Sequence, residues 1–238
     1  MGELSKDQMI HAIFFDLNGV IIDDEPIHLK AYREVLVAEG ISLSDEDYFA
    51  SLGMDDPTFV RSAFARAGKP LSEETMPAII ARELALHREL IKDDLPLCAG
   101  IVSFIREAAR HCQLGVVSMA QRDEVNYVLA RALVDKMMTL VVSAEDAPAC
   151  KPDPACYQIA LQRLNETRRK QRQLPLLANE CLVIEDSPPG IKAGRAAGMR
   201  TLGVTNTVPE AALRAAGADV VTGSLFDWNL AAVHHVFD

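Results

Sequence analysis

Five polar residues of the chain stand at the ends of short apolar runs. They are Asp16 after Ile10–Phe15, Ser118 at the end of Leu114–Ser118, Lys151 after Leu140–Ser143, and Glu185 and Asp186 at the end of Cys181–Glu185. Each residue alone has a structural explanation, since serine and aspartate cap helices and a lysine is usually solvated. Together they indicate more, because the carboxyl ends of parallel strands meet at one edge, where open α/β sheets bind ligands. The sequence therefore predicts that these side chains converge on one crevice.

The residue types predict phosphoryl transfer in that crevice. Asp16 and Asp186, with Glu185 beside them, offer the hard oxygen ligands that Mg2+ prefers and leave room for water and a substrate phosphate. Ser118 would hold phosphate oxygens through its hydroxyl and the backbone N–H groups that follow, and Lys151 would hold them as a point charge. Because the metal and the lysine offset the repulsion between two anions, Asp16 is then able to attack phosphorus and form an aspartyl-phosphate.

The elements that position these residues alternate along the chain. A fifth apolar run, Arg200–Val204, follows the four above, and runs of this length suit strands that are buried on both faces. Amphipathic stretches predict helices between them at Ile101–Arg110, Asp123–Leu133 and Pro154–Leu164. This order predicts an α/β fold, a parallel sheet with helices on both faces.

A second region, residues 23–95, breaks this alternation, with helical periodicity but no convincing strand. Its apolar residues recur on one helical face, as at Ile27, Ala31, Val35 and Leu36. Ser44 and Ser72 are candidate N-caps of further helices. We therefore expect an α-helical cap over residues 23–95, inserted after the first strand of an α/β core made of residues 1–22 and 96–238.

The C-terminal part predicts a short helix followed by a last strand. Thr207 and Glu210 have the spacing of a capping box, and Gly217 stands where the helix would stop. The basic run Arg163–Gln173 falls where an earlier helix passes into a loop. A solvated helix end is its expected role.

Composition excludes several classes of protein. The chain has 238 residues, 49% hydrophobic and 24% charged, which is ordinary for a globular protein. The formal charge of -10 disfavours nucleic acid as a partner, and no apolar run is long enough to span a membrane. Five cysteines without a CxxC pair suggest neither a disulfide framework nor a zinc site. We expect a cytoplasmic monomer that binds a small phosphorylated metabolite.

Four segments resemble the motifs of the haloacid dehalogenase-like superfamily, in its helical-cap branch. The segments are "FFDLNGVIID", "LGVVSMA", "CKPDPACY" and "LVIEDSPPGIKAG". The resemblance covers nearly the whole chain and is strongest to members of the β-phosphoglucomutase and phosphoglycolate phosphatase type. It implies a Rossmann-like core, dependence on Mg2+, and Asp16 as nucleophile. It also implies Ser118 and Lys151 on the phosphate, Asp186 on the metal, and the backbone carbonyl of Asn18 on the metal.

Asn18 departs from that pattern. Phosphatases and mutases of the family usually have an aspartate here, which protonates the leaving oxygen and then activates water or the next hydroxyl. Asparagine can hydrogen-bond but cannot transfer a proton, and general acid–base catalysis is worth about 10² to 10⁴ in rate. We therefore expect slow turnover of phosphate esters that need a protonated leaving group.

Two further differences disfavour a sugar phosphomutase. Asp55 and Asp56 stand near the place where β-phosphoglucomutase has a cap arginine for its second phosphate. The segment "SMAQRDE" lacks the residues that such mutases have after the first serine, and Arg122 is a partial substitute at most. His28 matches the family's histidine at the start of the cap and is a candidate substrate contact.

These observations leave several hypotheses open. The leading one is a Mg2+-dependent phosphatase of low activity, and the alternative is a catalytically silent protein that binds a phosphorylated metabolite. In a third, His28 or Glu25 on the cap supplies the missing acid and the enzyme is fully active. Carbon–halogen cleavage is weaker, because dehalogenases need no metal and would gain nothing from Glu185 and Asp186.

Overall fold

The protein forms a six-stranded parallel sheet covered by helices, as a computed structural model of residues 9–237 shows. The strands are β1 (Ala12–Phe15), β2 (Gln113–Val117), β3 (Met138–Val142), β4 (Cys181–Glu185), β5 (Arg200–Val204) and β6 (Val220–Thr222). Their order across the sheet is β3-β2-β1-β4-β5-β6. The order reverses between β1 and β4, so the carboxyl ends of these two strands border the ligand crevice of such sheets. The predicted fold class is confirmed.

Ten α-helices accompany the strands in this part of the chain. They are α1 (Glu25–Ala38), α2 (Asp45–Phe49), α3 (Asp56–Arg66), α4 (Thr75–Ile91), α5 (Ile101–Ala108), α6 (Arg122–Arg131), α7 (Ala155–Lys170), α8 (Pro188–Ala196), α9 (Glu210–Ala216) and α10 (Leu230–Phe237). The five predicted strands agree to within two residues. Helix α7 continues to Lys170 because most residues of the basic run are good helix formers. The positive charges of Arg168, Arg169 and Lys170 also stabilise a helix C-terminus.

The sheet is the buried centre of the core. All four residues of β1 and all five of β4 are buried, since helices cover both faces of the sheet. Apolar side chains pack on the two faces as separate clusters, one with Phe104 of α5 and the other with Tyr157 of α7. A rigid central sheet of this kind holds the residues after β1 and β4 in fixed positions.

Helices α1–α4 lie between β1 and α5 and have an apolar cluster of their own, which includes Leu36, Phe59 and Ile79. The two chain crossings to this helical region are adjacent, because the backbone N–H of Asp23 donates to the carbonyl of Pro96 at 2.7 Å. This arrangement agrees with the expected cap, although its bounds at residues 23–95 stay a prediction.

The predicted helix caps had mixed outcomes. Ser44 caps α2 through the backbone N–H of Asp47, and Gly217 ends α9 with a φ of 96°. Ser72 accepts from the backbone N–H of Thr75 and so caps the turn that enters α4. The prediction that Thr207 and Glu210 form a capping box was wrong. Pro209 holds the N-cap position of α9, and no side chain makes a cap hydrogen bond there. The Thr207 hydroxyl lies instead beside Gly19.

Candidate active site

The structure brings the five strand-end residues together, and we call them the strand-end cluster: Asp16, Ser118, Lys151, Glu185 and Asp186. All except Glu185 line one pocket at the carboxyl ends of the strands. Asp16 follows β1 and Ser118 follows β2, while Asp186 follows β4 on the other side of β1. The pairing of β1 with both neighbours therefore fixes the separation of these side chains.

Lys151 lies at the centre of the strand-end cluster. Its Nζ donates to Asp16 Oδ1 at 3.0 Å, to Glu185 Oε1 at 2.6 Å and to the carbonyl oxygen of Val117 at 3.1 Å. Burial opposes the charge, but Asp16 and Glu185 hold the pKa of Lys151 above its ordinary value. The ammonium is therefore charged at neutral pH and faces the carboxylate predicted to attack phosphorus.

Glu185 is fully buried, and both of its oxygens have protein partners. Oε1 accepts from Lys151 and from the Tyr157 hydroxyl at 2.8 Å, and Oε2 accepts from the Ser187 hydroxyl at 3.0 Å. Gly190 is required here, since a Cβ at that position would lie 1.9 Å from the Glu185 carboxyl carbon. These contacts make Glu185 a positioning residue for Lys151, and its predicted role on a metal stays a prediction.

The carboxylates fit a hard divalent cation. Asp16, Glu185 and Asp186 each offer one oxygen, and these atoms lie within 4.8 Å of one another. Asp186 Oδ2 is buried without a hydrogen-bond partner, and a Cβ on Gly19 would lie 2.0 Å from it. Burial raises the pKa of Asp16 to about 7 and that of Asp186 well above its usual range. Lys151 alone does not balance three buried carboxylates, so the chemistry of the site suits a metal ion.

Ser118 is buried at the end of β2, with its backbone N–H bonded to the carbonyl of Val142 at 3.0 Å. Its hydroxyl oxygen accepts from the backbone N–H of Ala120 at 3.1 Å. The loop that follows β2 thus holds the hydroxyl in place at the pocket wall.

The opposite wall of the pocket comes from the helical region and is acidic. Glu25, Asp55 and Asp56 line it, and Lys151 is the only lysine or arginine among the lining residues of the described chain. The Tyr48 hydroxyl donates to Glu25 Oε2 at 2.6 Å, and burial raises the pKa of Glu25 to about 7. The pocket therefore offers one cationic anchor for a phosphate and a carboxyl that is half protonated near neutral pH.

Asn18 lines the same pocket, but the contacts of its amide nitrogen lie outside the strand-end cluster. Its Nδ2 lies 3.1 Å from Asp24 Oδ1 and 3.2 Å from Glu124 Oε1. The same nitrogen is 3.2 Å from His28 Nε2. The side chain thus belongs to a second group of buried polar residues.

We call this group the junction cluster: Asp24, His28, Glu83, His87 and Glu124. All five side chains are buried. They come from the start of α1, from α4 and from α6, so the cluster joins the helical region to the core. Sequence reasoning identified only His28 of this set. A signal was available, since Asp24 with His28 and Glu83 with His87 are pairs spaced by four residues on a helix.

The two candidate substrate contacts differ in position. His28 lines the pocket, although its ring nitrogens face Glu83, Asp24 and Glu124. Arg122 is not among the lining residues, because its guanidinium pairs with Asp146.

With this geometry established, comparison with known proteins identifies the family. A family model described as haloacid dehalogenase-like hydrolase matches residues 10–198. The chain belongs to this family. The predicted family and hydrolase class are confirmed.

The chain is also similar to individual members. It is 28% identical to hexitol phosphatase B of Escherichia coli, over 93% of this chain and 96% of that protein. It is 24% identical to a phosphorylated carbohydrates phosphatase of Thermotoga maritima, over 88% of this chain and 92% of that protein. The fold is similar to a β-phosphoglucomutase of Clostridium difficile, with a TM-score of 0.83 at 22% identity over 96% of this chain and 97% of that one.

Proposed function

We propose that the protein is a Mg2+-dependent phosphatase that hydrolyses monoesters of small phosphorylated metabolites through an aspartyl-phosphate on Asp16. The observation that carries this proposal is the contact of Lys151 Nζ with Asp16 Oδ1 in a pocket that Ser118 and Asp186 also line. The names of the similar phosphatases, which act on hexitol and carbohydrate phosphates, agree with it.

Asp16 and Asp186 would hold Mg2+, which neutralises phosphate charge when bound. Ser118 and Lys151 would bind the phosphate oxygens and direct phosphorus toward Asp16. Attack by an Asp16 oxygen forms one P–O bond and breaks the ester P–O bond, and the leaving oxygen takes up a proton. Water then cleaves the aspartyl-phosphate and releases inorganic phosphate.

Proton supply is the weak step of this reaction. The Asn18 amide donates into the junction cluster and has no acidic proton to give. Outside the strand-end cluster, Glu25 is a pocket carboxyl whose pKa of about 7 suits proton donation, so we assign residual acid catalysis to it. His28 is less suited, because carboxylates surround its ring.

The charge of the pocket limits the substrate. A second phosphate would face Glu25, Asp55 and Asp56 without an arginine to bind it. We therefore expect a monophosphate whose remaining part is a neutral polyol or carries an amine, and we disfavour a sugar bisphosphate intermediate.

The test is phosphate release from a panel of polyol, sugar, aminoalkyl and aryl monophosphates, with Mg2+ and after chelation. We expect multiple turnovers that chelation stops and that Asp16→Ala reduces by at least about 10⁴-fold. Asp23→Asn is the matched control, since Asp23 is an exposed acid nearby. Activity that survives Asp16→Ala would refute the proposed nucleophile.

One observation favours a second candidate, a phosphometabolite-binding protein without turnover. The Asn18 amide nitrogen hydrogen-bonds to Asp24 and Glu124, while Ser118 and Lys151, the predicted phosphate contacts, line the pocket. Calorimetric binding of a panel compound without phosphate release over hours would establish this candidate and exclude the phosphatase.

A further inference from the structure

We propose that Asp24, His28, His87 and Glu124 form a second metal site, for a divalent transition ion such as Mn2+, Fe2+ or Zn2+. The site is separate from the carboxylates after β1 and β4, and the proposal does not rest on the phosphatase reaction. Each of the four residues offers one ligand atom, and these atoms all lie within 4.8 Å of one another.

The separations of the ligand atoms are those of neighbours around one ion. His87 Nε2 is 2.9 Å from Asp24 Oδ2, and His28 Nε2 is 3.4 Å from the same oxygen. His28 Nε2 is 3.3 Å from Glu124 Oε1. Ligands held about 2.0–2.2 Å from a metal in tetrahedral or octahedral geometry are about 3.0–3.5 Å apart. The cage therefore needs little rearrangement to close on an ion.

The cage has more acceptors than the protein's own donors can serve. With a neutral His28 ring whose Nδ1 donates to Glu83, His28 Nε2 is an acceptor. Asn18 Nδ2 then lies within 3.2 Å of four acceptor atoms, both oxygens of Asp24 among them, but an amide nitrogen has only two hydrogens. Buried acceptors without donors are costly, and a cation would satisfy them.

The charge of the junction cluster also favours a bound cation. The junction cluster holds three buried carboxylates, and within the described chain their ion pairs are all with His28 and His87. The two imidazoles stack at 3.9 Å, which makes it costly to protonate both. A divalent ion would balance the carboxylates with both rings neutral.

His28 has the arrangement of a metal ligand supported from behind. Its Nδ1 lies 2.9 Å from Glu83 Oε1, while its Nε2 faces the cage. Metal-bound histidines usually donate their other N–H to a carboxylate, which fixes the ring and raises its basicity. Glu83 is therefore a positioning residue for His28 rather than a ligand.

Asp24 shows the same preference for the cage over a local role. It holds the N-cap position of α1, yet its side chain makes no cap hydrogen bond. A capping aspartate normally accepts from a backbone N–H in the first turn of its helix. The carboxylate instead faces His28 and His87 across the cage.

Two imidazoles with two carboxylates select the class of ion. Mg2+ prefers oxygen ligands and keeps several waters, so it suits the carboxylates near Asp16. Imidazole nitrogen is a better ligand for divalent ions of the first transition series and for Zn2+. A 180° rotation of the Asn18 amide would place its oxygen toward the ion. Because the amide is neutral, this rotation does not change the charge of the site. Because the ligands come from α1, α4 and α6, a bound ion would fix the helical region against the core.

The test uses Co2+ as a spectroscopic probe on the full chain, stripped of metal and then supplied with excess Mg2+. We expect one equivalent of Co2+ to bind with visible d–d absorption, confirmed by calorimetry. Glu124→Gln and His87→Gln should each weaken binding by at least about 10²-fold, and Glu83→Gln by about tenfold. Circular dichroism of each variant checks that it is folded.

Two controls separate this site from others. Asp186→Asn alters the strand-end cluster, and His111→Gln removes an exposed histidine; both should bind Co2+ as the unaltered chain does. The proposal is overturned if the unaltered chain takes up no Co2+ in excess Mg2+. It is equally overturned if Co2+ binding is lost in Asp186→Asn, or if the folded Glu124→Gln variant binds as tightly as the unaltered chain.

Discussion

Two buried polar clusters meet at Asn18, and they balance their charges differently. In the strand-end cluster Lys151 pairs with carboxylates, and its Nζ donates to Glu185 at 2.6 Å and to Asp16 at 3.0 Å. In the junction cluster, histidines and the Asn18 amide face the carboxylates. The first cluster has a permanent cation of its own, whereas the second depends on imidazoles and an amide.

This difference explains why position 18 is an asparagine in this chain. A neutral donor fits between Asp24 and Glu124, where another carboxylate would meet like charges. The residue that would serve as acid in the strand-end cluster is thus adapted to its contacts in the junction cluster. Catalysis and the joining of the helical region to the core make opposing demands on one side chain.

Asn18→Asp should produce the largest change, with opposite effects on activity and stability. Asp24 and Glu124 would favour the protonated form of the new carboxyl, so it could donate a proton to the leaving oxygen. We expect hydrolysis of alkyl monophosphates to rise by about 10² or more. We also expect the free energy of unfolding to fall by about 1–3 kcal/mol, because the protonated carboxyl offers the buried acceptors one donor hydrogen where the amide offers two. Phosphate release and urea unfolding measure the two effects.

Asn126→Asp is the matched control for that substitution, since Asn126 is an exposed asparagine of α6. Aryl monophosphates, whose leaving groups need little protonation, should gain less than alkyl ones. An equal gain for both classes would show that proton supply does not limit the native protein.

Glu25→Gln should have the next largest effect, and it tests the acid role. Burial raises the pKa of Glu25 to about 7, so the carboxyl is protonated below that pH and loses its proton above it. If it donates the proton, kcat falls as pH rises through about 7. Glutamine cannot donate, so we expect kcat to fall by about tenfold to 10² and this limb to disappear. A pH–rate profile measures it, with the exposed Glu34→Gln of the same helix as control. A limb that persists in Glu25→Gln would contradict the assignment.

The sequence predicted the strand-end cluster because its residues have one simple relation to the fold. Each follows or ends a buried strand or lies in the next loop, and parallel pairing places those ends together. Knowing that Asp16 and Asp186 follow strands was enough to place them in one crevice. Strands β1, β2, β4 and β5 were predictable because continuous apolar runs of this length suit strands that are buried on both faces.

The junction cluster could not be predicted in the same way. Its residues lie on α1, α4 and α6, and their meeting depends on how those helices pack across the core. Helical periodicity shows which residues share a face but not which face meets another element. The predicted capping role of Thr207 was wrong for a related reason. The position of Thr207 beside Gly19 depends on tertiary contacts, which sequence spacing does not reveal.

The pairing of Arg122 with Asp146 supplies the smallest predicted effect, and it shows how an acid is balanced when arginines are available. Burial raises the pKa of Asp146, but Arg163, Ser143 and Arg122 together lower it to about 2. Because the folded pKa lies below the ordinary value of 3.8, this stabilisation is present above that pH and is lost as pH falls toward 2.

Arg122→Ala should therefore lower the free energy of unfolding by less than about 1 kcal/mol near neutral pH, since solvent screens the partly exposed guanidinium. Urea unfolding should show the deficit shrinking at about pH 3, and KM should change less than about twofold because Arg122 does not line the pocket. Exposed Arg169→Ala serves as control, and a large rise in KM for Arg122→Ala alone would return Arg122 to the substrate site.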